Sequence, residues 1–109
     1  MAVPVWIVYS EIAPTAASRF PPGAAGAFLE LYVPSGNAAD ARRLALARFT
    51  EDGYRVVELE ECLPFDPAQW NDENDPDQSV RRAARKAAQE GEIAYGPFRV
   101  WGEGESGPA

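Results

Sequence analysis

The segment Ala27-Phe28-Leu29-Glu30-Leu31-Tyr32-Val33 constrains the fold more than any other part of this chain. Read as a strand, it presents side chains alternately to two faces. Leu29, Leu31 and Val33 make one face aliphatic, while Phe28, Glu30 and Tyr32 make the other aromatic with a charge in it. The stretch Val3 to Ile12 is also apolar on both sides, the mark of a strand that is central or doubly covered. Only two segments have helical spacing, and two helices are expected to cover one face of a small sheet, not both. The aromatic face is therefore expected to meet something else: a second subunit, a ligand or a partner protein.

Along the chain, Val3 to Ile12 reads as the first strand. Ala13 to Gly26 is a long connection in which Pro21-Pro22-Gly23 opposes regular structure, although Pro14 to Phe20 has room for a short helical turn. Ala27 to Val33 is the second strand, closed by Pro34-Ser35-Gly36. Asn37 then offers a helix cap, with Asp40 in the first turn, where the helix dipole favours a negative charge. That helix runs to about Asp52, with Ala41, Leu44, Ala45 and Phe49 toward the sheet and Gly53 in the left-handed position that ends it. Tyr54 to Leu63 alternates again, predicting Val57, Leu59 and Leu63 on one face and Tyr54, Val56, Glu58, Glu60 and Cys62 on the other.

An acidic loop through Asp77 carries Trp70. Asp75-Pro76-Asp77-Gln78 predicts a second helix start, with Asp as the cap and Pro at the first helical position. Val80, Ala83, Ala84, Ala87 and Ala88 form its apolar stripe, nearly all alanine, so the helix can approach its support closely. Gly91 ends it, and Ile93 to Trp101 is the last strand, where Pro97 predicts an edge position or a bulge. Residues 102–109 read as a disordered tail.

The order β-β-α-β-α-β over residues 1–101 predicts a single α+β domain. Its economical packing is a two-layer open-faced sandwich: a four-stranded, mainly antiparallel sheet with both helices on one face. This resembles the ferredoxin-like sandwiches in architecture, although their order is β-α-β-β-α-β, and no function follows from the resemblance.

The core is modest. Val, Ile, Leu and Phe make up 22 of 109 residues, close to the level at which folding becomes marginal, and twelve aromatics compensate. A homodimer would relieve such a core. The net charge of −7 opposes nucleic-acid and anionic-membrane binding. A lone cysteine, Cys62, excludes an intramolecular disulfide, and the start Met1-Ala2-Val3-Pro4 lacks a leader pattern, which makes a reducing cytoplasm the expected location. Nine Arg against one Lys, among many Ala and Pro, suggests a GC-rich bacterial source.

Catalytic motifs are missing. Without histidine, Ser–His and Cys–His catalysis are excluded, and with one cysteine so are thiolate zinc sites. The loop Asn71 to Asp77 is dense in oxygen donors, but read as a calcium loop it puts Pro76 where Gly is needed and Arg82 where a bidentate Glu is needed. The expectation is no catalytic residue, no metal and no cofactor. Glu30, Glu58 and Glu60 would lie among Phe28, Tyr32 and Tyr54 if strands two and three were neighbours, with Arg99 as an ion-pair partner. Arg81, Arg82, Arg85 and Lys86 form a basic stripe outside helix two.

The reading is therefore a homodimeric interaction or regulatory module. Its contact face comprises Trp6 (or Tyr9), Phe28, Glu30, Tyr32, Tyr54, Glu58, Tyr95, Arg99 and Trp101. One alternative is a small-molecule-binding domain or carboxylate-dependent enzyme using the same face. Another is an acidic inhibitor of a basic partner, since eight of the 17 acids lie between Glu58 and Asp77.

Overall fold

A computed structural model of the protein describes residues 4–16 and 23–102. In chain order the elements are β1 (Val5–Ala13), β2 (Ala24–Pro34), α1 (Ala38–Glu51), β3 (Arg55–Pro64), a 3-10 turn (Pro67–Gln69), α2 (Ser79–Glu90), β4 (Ala94–Tyr95) and β5 (Arg99–Gly102). Most of the expected turn at Pro14 to Phe20, and residues 103–109 of the expected tail, lie outside the described residues. No helix among the described residues is long and apolar enough to cross a membrane.

The sheet runs β3-β1-β2, with β4 and β5 both paired to the far edge of β2, and every pairing is antiparallel. Pro97 lies on an edge as expected, and it also splits the last strand: β4 and β5 are two pieces of one edge, separated by Gly96-Pro97-Phe98. Gly96 N–H still donates to the Glu30 carbonyl at 2.7 Å, so the break costs β2 little pairing.

α1 forms where its local chemistry places it. The Asn37 carboxamide oxygen accepts from Asp40 N–H at 2.8 Å, and Gly53 follows at φ +86°. Its inner side chains Ala41, Ala45 and Phe49 pack with Val8, Ile12, Leu29, Leu31 and Val33 into the larger core. α2 is different. Its stripe of Ala84 and Ala87 packs on Val5, Ile7, Tyr32 and Ala94. Val8 pairs with Leu31, and the adjacent Ile7 pairs with Tyr32, so the two clusters lie on opposite faces of the sheet.

The α+β class, the antiparallel sheet and its two helices stand as predicted, but the helices do not share a face. The reason was already in β1 and β2. Strands apolar on both sides require cover on both sides, and this outweighs the economy of a single helical layer. Trp70 folds back from the acidic loop against the α2 cluster, beside Phe65.

Two further expectations are corrected. β3 does not alternate. It carries extra residues at Val57 and Glu60, where its register with β1 shifts, so Val56, Leu59 and Cys62 turn inward at a spacing of three. Val57 and Leu63, expected on one face with Leu59, are instead parted from it and are each 47% exposed. α2 begins at Ser79, not at Pro76, because Gln78 adopts a left-handed conformation at φ +59°. Asp75 still serves the helix from a distance, accepting from Val80 N–H and Arg81 N–H at 3.1 Å each.

Candidate functional site

α2 roofs one half of its face and leaves the other half open. Register decides what the open half presents, because residues paired across strands share a face. Tyr9 lies between Glu30 and Glu61, and Glu11 between Phe28 and Glu58. Phe28 pairs in turn with Arg99, and Gly26 with Trp101. A Cβ at Gly26 would stand 2.7 Å from the Trp101 ring, so glycine lets the indole lie against β2.

Of the nine residues expected on one contact face, five meet here: Phe28, Glu30, Glu58, Arg99 and Trp101. Tyr32 shares the face but lies beneath α2, 1% exposed. Trp6, Tyr54 and Tyr95 belong to the opposite, α1 side. The Trp6 indole N–H donates to the Ser35 carbonyl at 2.9 Å. Phe49 meets Tyr54 and Tyr95 edge-on, and Phe98 closes the group by packing on both tyrosines at centroid distances of 5.8 Å. The Tyr95 hydroxyl donates to the Asp52 carboxylate. Sequence reasoning missed Glu11 and Glu61 and left Tyr9 as an alternative to Trp6. The parity of β1 against β2 was the signal that separates Tyr9 from Trp6.

The carboxylates do not converge as expected. β1 lies between β2 and β3, so Glu30 and Glu58 stand on strands two apart, on the order of 10 Å. Glu30, 15% exposed, instead pairs with Arg99 at 3.1 Å, and Arg99 remains half exposed. Burial raises the Tyr9 hydroxyl above its usual range, and Glu30 and Glu61 add to the rise. Tyr32 is raised further, first by burial and then by Glu30. Both phenols therefore stay neutral to a higher pH than a free tyrosine.

A concavity of about 230 Å³ opens on this half, lined by Tyr9, Ser10, Phe28, Leu29, Glu60 and Arg99. A second, apolar groove of about 330 Å³ runs along α2 between Phe65 and Ala88, with Arg81 and Arg85 in its walls. Arg81 is already engaged: its guanidinium donates to Asp75 at 2.9 Å and to Asp72 at 3.0 Å.

The acidic loop closes on itself. The Asn71 carboxamide oxygen accepts from Glu73 N–H and Asn74 N–H, and the Asn74 oxygen accepts from Asn71 N–H. Asp75, 2% exposed, loses solvation by burial, but the Val80 and Arg81 N–H groups and the Arg81 guanidinium outweigh this and hold its carboxyl below the usual range. Among the described residues, no three His, Cys, Asp or Glu side chains are grouped to hold a metal ion. Cys62 is half-buried with its Sγ 3.8 Å from the Ala38 carbonyl. Burial, not its acidic neighbours, raises its thiol, and Arg42 opposes the rise. The chain matches no protein family, no curated protein and no solved structure.

Proposed function

We propose that this protein is a non-catalytic interaction module that assembles with a second copy of itself through the open half of its α2-side sheet face. The observation that carries this reading is the half-roofed sheet itself. One face holds a buried end under α2 and, continuous with it, an unroofed end bearing Phe28 and Trp101 among charged side chains, with Tyr9 at the boundary, packed against the α2 cluster. Aromatic rings flanked by Arg are the composition that interface cores favour. Light scattering across a hundredfold dilution tests it. A dimer of twice 11.9 kDa is expected, reduced to monomer by Phe28→Glu. A wild-type monomer at every concentration overturns the reading.

The concavity beside Arg99 supports a second reading, a small aromatic or apolar ligand held between Tyr9 and Phe28. At about 230 Å³ the space is below the range that ligand sites usually occupy, which places this reading second. The acidic-inhibitor reading needs free, clustered acids. Against it, Asp66 accepts from Ala68 N–H, Asp72 and Asp75 hold Arg81, and Asp77 accepts from Ser79 N–H.

A further inference from the structure

We infer that the two copies dock in one specific register: α2 of each enters the open half-face of the other, so that its basic outer stripe meets the partner's acidic sheet. This rests on the homodimer reading above and deepens it. Three features lead to it.

The first is shape. α2 and the open half lie on the same side of the sheet, so the surface is a ridge beside a recess. The ridge is a helix of 12 residues, about 18 Å long. The recess follows β1 from Tyr9, at the edge of the α2 cluster, through Glu11 to the buried Ala13, a span of about 14 Å. A two-fold axis lying between two such faces places each ridge in the opposing recess and closes the assembly at two copies.

The second is charge. Arg82, Arg85 and Lys86 are exposed along the outer turns of α2, whereas Arg81 is turned aside to Asp75 and Asp72. The recess presents Glu11, Glu58 and Glu61 beside the paired Glu30 and Arg99, with Arg55 at its far end opposite Ala13, so acids outnumber bases there. Ridge to recess pairs opposite signs twice over. Stacking recess on recess would instead bring like charges together, which costs several kcal/mol in a desolvated contact.

The third is closure. The other exposed basic residues on a helix, Arg42 and Arg43, lie on α1 at the opposite face, and Arg43 is paired with Asp40 at 3.4 Å. Contact through that face would propagate head to tail and not stop at two.

A charge exchange tests the register. Arg82→Glu with Arg85→Glu and Lys86→Glu gives an acidic ridge. Glu11→Lys with Glu58→Lys and Glu61→Lys gives a basic recess. Each triple variant alone is expected to dissociate at least about tenfold more readily than wild type, and an equimolar mixture to restore the dimer, since both contacts then pair opposite signs. Lys86 is the chain's single lysine. Zero-length carbodiimide coupling of unmodified wild type should therefore join Lys86 of one copy to Glu11, Glu58 or Glu61 of the other. This readout does not depend on any variant folding. A wild-type dimer that both triple variants preserve, or in which Lys86 couples across the interface to other acids only, overturns the register and leaves the homodimer standing. A wild-type monomer overturns both.

Discussion

Replacing Tyr32 by alanine separates the two ways in which the helices could have been arranged. Tyr32 is 1% exposed and lies under Ala84 and Ala87, each also 1% exposed, with Ile7 and Ala94 at its sides. Truncating a buried aromatic ring to alanine typically costs about 3–5 kcal/mol. The upper part of that range applies here, because a helix contacting the ring through alanines has no longer side chain to fall into the hole, so most of the cavity persists. We expect a loss of about 4 kcal/mol, a large part of the stability of a small domain, and a fall in Tm of about 15–25 °C. Urea unfolding followed by circular dichroism measures the loss, and hydrogen exchange locates it: amides of α2 should lose protection before those of α1. Tyr32→Phe keeps the ring and should cost less than about 1 kcal/mol. Had both helices covered the Val8 face, Tyr32 would stand on an open surface, where substitutions usually stay within about 0.5 kcal/mol. A loss under about 1.5 kcal/mol, or exposure of α1 in place of α2, refutes the opposite-face arrangement.

Asp75→Asn should cost about 2–3 kcal/mol near neutral pH, because the carboxylate's charge-assisted bonds to Arg81 and the α2 amides are weakened together. Its lowered carboxyl contributes stability above the ordinary carboxylate range that is lost as pH falls through the folded value, so wild type and variant should converge in acid; a constant gap in urea midpoints refutes this. Tyr9, Tyr32 and Tyr95 are all raised, burial being the first cause in each, so stability should hold below pH 10 and decline as pH climbs toward their folded values. Denaturation midpoints that stay flat from about pH 9 to 12 count against it. Gly26→Ala drives a methyl to within 2.8 Å of two Trp101 ring atoms and 2.9 Å of the Ile12 carbonyl. It should cost about 1–3 kcal/mol and shift Trp101 fluorescence, whereas Gly36→Ala, which meets nothing within 4 Å, should be neutral.

Residues acting within a few positions of one another were legible. Asn37, Asp40 and Gly53 fix α1 through local hydrogen bonds and backbone preference, and Ala41, Ala45 and Phe49 then face inward by helical geometry alone. Pro97 announced its break by lacking an N–H. What depended on long-range pairing was not legible. Phe28, Glu30, Glu58, Arg99 and Trp101 reached one face, but Trp6, Tyr54 and Tyr95 fell on the other, because which side a strand residue faces is set by pairing with its neighbours (β1 with β2 for Trp6, β4 with β2 for Tyr95). Tyr32 has the right parity but is covered, since nothing in the sequence near it says which face α2 will choose. The inward spacing of Val56, Leu59 and Cys62 mimics a three-residue period, and only the pairing with β1 shows it as two bulges.

Those bulges bear on assembly as well as on packing. A sheet with a free edge can recruit a second copy by adding strands, which competes with docking through a face. The β3 edge is ten residues long, but the extra residues Val57 and Glu60 interrupt its ladder, and Glu58, Glu60 and Glu61 line it with like charge. The opposite edge is broken by Gly96-Pro97-Phe98 into pieces of two and four residues, and Pro97 has no N–H to offer a new strand. Both edges are thus blunted by features that cost pairing within the chain. The bulge that interrupts the β3 ladder at Glu60 keeps Leu59 against Ser10 and Cys62 against Val8, both toward α1, and sets Glu61 beside Tyr9 on the open half of the sheet. Without an extra residue in the ladder, Glu60 would stand beside Tyr9 and Glu61 would take the place of Cys62 in the core, so the insertion blunts the edge and keeps a carboxylate out of the core, and the recess is acidic either way. Deleting Glu60 tests this: Leu59, Glu61 and Cys62 keep their partners on β1, so self-association through the face should persist, while the regularised β3 edge should give larger aggregates in light scattering; loss of the dimer, or an edge as inert as wild type, refutes it.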